Sequence, residues 1–305
     1  MHVYLPIAEM PVNVLMFLAL GASIGFLSGL FGVGGGFLLT PMMIFLGVPP
    51  VVAVGTGAAH IVASSVSGAI TQYRKNNIDV KMGLVMLAGG VVGTIIGVET
   101  VRLLRKAGLF DLVVSLSYVT FLSVIGSLMM VESLNAWRAR NGPGGGQRRK
   151  PGQHSYIDGM PLKMRFQRSK LYISAIPPAI IGMFVAFMGA IMGIGGGFVV
   201  IPAMIYILRM PTSVVVGTSL FQIVFSAALA TLLHAVQNQS VDVVLAMVLI
   251  AGGVIGAQFG SVAGERLRGE QMRMLLASLV LLVAARMSFD LLTAPAEIYS
   301  FGSSV

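Results

Sequence analysis

Two six-residue stretches carry the chemistry this chain can offer: GVGGGF at 32–37 and GIGGGF at 193–198. Each lies in apolar sequence, and a proline follows four residues after its phenylalanine, Pro41 in one case and Pro202 in the other. Inside a helix each glycine costs roughly 1 kcal/mol relative to alanine. Three in a row therefore read as a break, where the backbone can take positive φ and nothing blocks close approach. The segment after each break reads as a new helix whose first amides have no intrahelical acceptor. In lipid those amides must be satisfied by protein, water or a ligand. A helix N-terminus carries about half a positive charge, which suits an anion. The candidate substrate site is thus the backbone of Gly34, Gly35, Gly36, Gly195, Gly196 and Gly197, with Phe37 and Phe198 at the ends of the boxes. A packing hinge with no ligand is the alternative reading of each box.

The helix after each break adds polar side chains: Thr56, His60, Ser64 and Ser65 in one half, and Thr218, Ser219, Gln222 and Ser226 in the other. Hydroxyls of this kind also bond back to carbonyls one turn earlier or hold helices together. As a set, some are expected to face the anion. His60 and Gln222 fall on matched positions. An intramembrane histidine is a functional candidate that can couple anion movement to a proton, although a buried neutral histidine satisfied by a neighbour is the plainer reading. Gln72 and His234 fall near helix ends and read as interfacial.

Other chemistries are excluded or disfavoured. The boxes are not dinucleotide motifs, because phenylalanine stands where GxGxxG needs its last glycine and no βαβ pattern surrounds them. No Walker lysine is present, so ATP drive from this chain is not expected. The chain has no cysteine, which removes disulfides, thiolate metal sites and a cysteine nucleophile. Nucleophile, base and orienting group do not cluster, so no enzyme is expected, and neither a cofactor nor a metal is implied. The basic run Arg148–Lys150 lacks interleaved aromatics and reads as a lipid-headgroup and topology signal, not as a nucleic-acid site.

The elements that must position the boxes are membrane helices. Of the 305 residues, 56% are hydrophobic and 10% charged, with mean hydropathy +0.90, whereas soluble domains carry about 25% charged residues. The net charge of +9 resides mostly between the apolar runs. No secretory signal is read at the N-terminus. Gly21, Gly25 and Gly29 recur at four-residue spacing, as do Gly89, Gly93 and Gly97, and Gly252, Gly256, Gly260 and Gly264. Such ridges let helices pack closely. The runs after the boxes, Leu38–Val48 and Val199–Leu208, are too short to cross a hydrocarbon core of roughly 30 Å.

The two halves align at a shift of about 161–163 residues: the boxes match, as do Pro41 with Pro202, Gly55-Thr56 with Gly217-Thr218, Asp79 with Asp242, and Gly89-Gly90 with Gly252-Gly253. The expected fold class is an all-α integral membrane protein of two inverted repeats, each of about five membrane segments with a short helix after its box. Repeat 1 takes 1–131, a basic cytoplasmic linker 132–170 and repeat 2 171–305. An odd number of segments inverts the second half. With the linker inside, the basic 74–81 and 263–273 loops also fall inside, and only the 102–106 loop departs from the positive-inside rule. If the short runs re-enter instead, each half has four spans.

The duplicated GVGGGF and GIGGGF boxes, the prolines after them, the paired Gly-Thr and the later Gly-Gly-x-x-Gly boxes resemble the TauE/SafE family of sulfite and organosulfonate exporters. The resemblance covers both repeats. It implies export of small sulfur-containing anions such as sulfite, sulfoacetate or related sulfonates across a bacterial inner membrane by a multi-pass secondary transporter. The alternatives are an anion channel, an importer of another small oxyanion or carboxylate, and a membrane scaffold that transports nothing. Expected partners are the small anionic substrate and membrane lipids, with no nucleic acid; a homodimer stays open.

Overall fold

The computed structural model describes residues 2–31, 36–141, 162–166, 168–169, 171–208, 210–264 and 269–293. Long apolar runs become helices because a helix satisfies every backbone group within itself. Among the described residues they are α1 (Val14–Phe31), α2 (Gly36–Phe45), α3 (Pro50–Arg74), α4 (Val80–Lys106) and α5 (Phe110–Asn141), then α6 (Ile176–Met192), α7 (Gly197–Tyr206), α8 (Thr212–Leu233), α9 (Val243–Gly264) and α10 (Gly269–Leu292). Six of these runs are long and apolar enough to cross a membrane. α2 and α7 have ten residues each, about 15 Å of helix. The protein is an all-α membrane protein with a short helix after each box, as the sequence leads one to expect.

Two features lie outside the sequence reading. Antiparallel hairpins, β1 (His2–Leu5) with β2 (Met10–Asn13) and β3 (Lys163–Phe166) with β4 (Leu171–Ser174), precede α1 and α6 respectively. The span read as ending near Val131 also continues as helix to Asn141. Part of the segment 132–170, read as loop, is therefore helix or hairpin.

The glycine ridges decide which helices touch. A Cβ on Gly21, Gly25 or Gly29 would fall 2.6, 2.1 or 2.2 Å from the carbonyl oxygens of Leu249, Gly253 and Ala257. The order of these contacts makes α1 and α9 parallel. On Gly89 or Gly93 it would fall 1.9 or 2.0 Å from the oxygens of Ala179 and Met183, which sets α4 parallel to α6. Contact this close leaves no room for any side chain, and it gains the dispersion energy that drives helix association in lipid. Each pair joins one half of the chain to the other. α3 and α8 meet antiparallel: Gly55 lies against Ser240, Gly68 against Leu220 and Gly217 against Asn77. The outward faces stay apolar, with Ile95, Ile96, Met247, Phe259 and Leu282 all at least half exposed. An apolar surface of that extent suits lipid.

Candidate functional site

The described ends of the two boxes come together. Phe37 and Phe198, the last residues of the boxes, stack with ring centroids 4.8 Å apart and planes 14° from parallel. Ile61 of α3 wedges between the breaks: a Cβ on Gly36 would lie 2.2 Å from its Cδ1, and one on Gly195 2.5 Å from its Cγ2. Gly193, Gly195 and Gly196 take φ of 68°, 69° and 77°, a region that costs other L-residues roughly 1–2 kcal/mol. Gly193 ends α6 in the left-handed conformation, and Gly196 precedes α7 in the same region. The amides of Gly197 and Phe198 therefore open α7, where a helix supplies no acceptor. Gly34 and Gly35 lie outside the described residues. Thr40 of α2 donates to the Gly193 carbonyl at 3.3 Å, and Tyr118 of α5 donates to that of Met192. These two bonds hold the second break against the first half.

The other predicted residues divide into three groups. Ser64 and Ser219 bond back to the carbonyls of Ile61 and Val216, at 3.1 and 2.9 Å. This is the local helix bonding that such hydroxyls favour.

His60 and Gln222 face glycines of the opposite half. The Nε2 of His60 is 2.1 Å from where a Cβ on Gly253 would sit, and the Nε2 of Gln222 is 3.2 Å from one on Gly90. Gln222 donates to Ser226 Oγ at 3.3 Å. Both ring nitrogens of His60 and the Oε1 of Gln222 are buried with no partner among the described residues. A buried polar atom without a partner costs about 1–3 kcal/mol, so both groups are suited to meet water or solute.

Thr56 and Thr218 are committed elsewhere, in a crossed pair of contacts that sequence reasoning missed. Thr218 Oγ1 accepts the Asp79 amide at 3.0 Å, and Thr56 Oγ1 accepts that of Asp242 at 3.1 Å. Each aspartate caps its own helix through Oδ1, to the Met82 amide at 3.2 Å and the Leu245 amide at 3.1 Å. Oδ2 of Asp79 accepts from the amide and hydroxyl of Ser169 at 2.9 and 2.8 Å. Oδ2 of Asp242 accepts from the Ile7 amide at 3.1 Å. Ser169 and Ile7 occupy the turns of the two hairpins. Matched acidic residues in apolar surroundings were visible in the repeat, but nothing in the sequence told which partners they would meet.

This architecture of long apolar helices around paired breaks defines a polytopic α-helical membrane transporter. The model of the sulfite exporter TauE/SafE family matches residues 17–287, and the chain belongs to that family. It is 24% identical over 295 residues to the probable membrane transporter protein YunE of Bacillus subtilis, covering 92% of this chain and 98% of that protein. It is 29% identical over 254 residues to a probable membrane transporter protein of Xylella fastidiosa, covering 81% of this chain and 83% of that one. Over 95 residues it is 30% identical to sulfite exporter TauE/SafE family protein 3 of Arabidopsis thaliana, covering 31% of this chain and 20% of that protein. No solved structure matches the chain.

Proposed function

We propose that the chain exports a small sulfur-containing anion, sulfite or an organosulfonate such as sulfoacetate, across a bacterial inner membrane by alternating access. The single observation that carries the small-anion part of this reading is the meeting of the ends of the two boxes at Phe37, Phe198 and Ile61, and the choice of a sulfur anion rests on the family match. In this reading the amides that open α2 and α7 receive the anion, while His60 and Gln222 line its path from opposite halves. Binding by backbone dipoles without a full positive charge permits release. The antiparallel crossing of α3 and α8, which are matched segments of the repeat, supports two inverted halves able to rock against each other. An inside-negative potential favours exit of a dianion by about 4.6 kcal/mol per 100 mV, from about 2.3 per charge, so export needs little further drive.

The test is flux from liposomes holding the purified chain. Sulfite and sulfoacetate are expected to leave saturably and faster than acetate. Ohmic, non-saturating current would refute a carrier in favour of a channel. Absence of flux across a wide anion panel would refute transport of small anions.

A further inference from the structure

The crossed aspartates exceed what helix capping requires. A cap needs one bond, from the side chain to an amide of its own helix. Asp79 and Asp242 each add two links to the opposite half of the chain: an amide given to a threonine and a second carboxylate oxygen bonded to a hairpin turn. Both aspartates are buried, at 3% and 0% exposure. The two clusters lie at opposite ends of the antiparallel α3/α8 pair, with the Phe37–Phe198 stack between them in the fold. Each therefore fastens the two halves together at one end.

The ends differ chemically. A cavity of about 320 Å³ lies against Asp79, lined also by Tyr73, Asn76, Ile78, Lys81 and Arg168. Arg168, beside Ser169 in the hairpin turn, grips the Asn76 carbonyl at 2.8 Å and its side-chain oxygen at 3.2 Å. At the other end Val244 occupies the place of Lys81, and Pro6 that of Arg168. A cavity lined by basic groups thus lies at the Asp79 end, while Arg105 at the other end is bonded to the Asn238 carbonyl.

We propose that the two clusters are the gates of the transport path, both closed in this structure, and that the basic cavity outside the Asp79 gate is the vestibule through which the anion passes. This rests on the alternating-access reading above. Opening the Asp79 gate frees Ser169 and Thr218 from Asp79 and joins the vestibule to the interior. Opening the Asp242 gate does the same at the far end.

The absence of cysteine from the chain makes the test direct. Single cysteines replace Ser65 and Ala227, matched and buried positions. The first lies on α3 between Ile61 and the Asp79 end, the second on α8 between Ile223 and the Asp242 end. A membrane-impermeant maleimide is applied to each face of oriented vesicles holding the full chain. Asp79→Asn is expected to raise labelling at position 65 several-fold from one face and to leave position 227 unchanged. Asp242→Asn is expected to do the reverse, from the opposite face. Ser169→Ala removes one hydroxyl donor and should act in the same direction as Asp79→Asn, more weakly; it supplies the answer if Asp79→Asn does not fold. Exposure of both reporters, or of neither, overturns the proposal. Counterflow of labelled sulfite in the same vesicles separates it from its premise. If counterflow is absent while each variant still opens one end, the gates stand and the rocking mechanism falls.

Discussion

Replacing Gly196 with alanine adds one methyl group at a point where two penalties are separable. The residue has φ of 77°, and the new Cβ would lie 2.3 Å from Val185 Cγ1. The left-handed conformation costs a non-glycine residue about 1–2 kcal/mol. Forcing a methyl into a filled site costs about 1–3 kcal/mol. The sum is about 2–5 kcal/mol. Gly108, with φ of 68° and nothing within 4 Å of its Cβ position, isolates the first penalty. Gly108→Ala should therefore cost about 1–2 kcal/mol. The assay is reversible unfolding of the purified chain by a denaturing detergent in mixed micelles. A double-mutant cycle with Val185→Ala removes the atom that clashes and should return about 1–3 kcal/mol as favourable coupling. If Gly196→Ala is no more costly than Gly108→Ala, or if the coupling is zero, the break is not packed against α6 as described.

Three further outcomes are expected. Gly25→Ala drives a Cβ into the Gly253 carbonyl at 2.1 Å, whereas Gly126→Ala meets only side-chain carbons of Leu281 and Val280 at 3.0 Å. Unfolding in mixed micelles should therefore show the first as the more destabilising, by about 1–3 kcal/mol, and equal costs would contradict close packing of α1 on α9. His60→Gln should retain substrate binding, measured by thermal stabilisation with sulfite, but alter the pH dependence of transport. A protonated imidazole adds a positive charge that favours the anion, so wild-type transport should fall as pH rises; an unchanged profile in the variant removes proton coupling. Arg105→Gln loses the 2.6 Å bond to the Asn238 carbonyl, which ties the last turn of α4, expected as a loop at 102–106, to the segment before α9. A loss of about 1–3 kcal/mol in the same unfolding assay is expected for a charge-assisted bond, and no loss would mean that the bond does not hold the two segments together.

The membrane class, the helical segments, the short helix after each box and the internal repeat are all written in one-dimensional pattern. Hydropathy follows from composition alone, and a triple glycine interrupts a helix wherever it stands. The four-residue glycine spacing marked which faces pack closely, because spacing along a helix becomes position around it. The hairpins before α1 and α6 were not legible, since four-residue strands give too little alternation to register. Thr56 and Thr218 looked like ligands because a polar group in an apolar run signals function without naming its partner.

Only the tertiary structure decided the partners. Ser169 lies 90 residues from Asp79, and Asp242 lies 186 from Thr56; no local rule connects them. The same holds for the Phe37–Phe198 stack, where Ile61, unremarkable in the sequence, fills the space between two breaks. Propensity and hydropathy act over a few turns of chain, whereas which half-helix meets which depends on the glycine ridges of α1, α4 and α9 and on the packing of all the described helices at once.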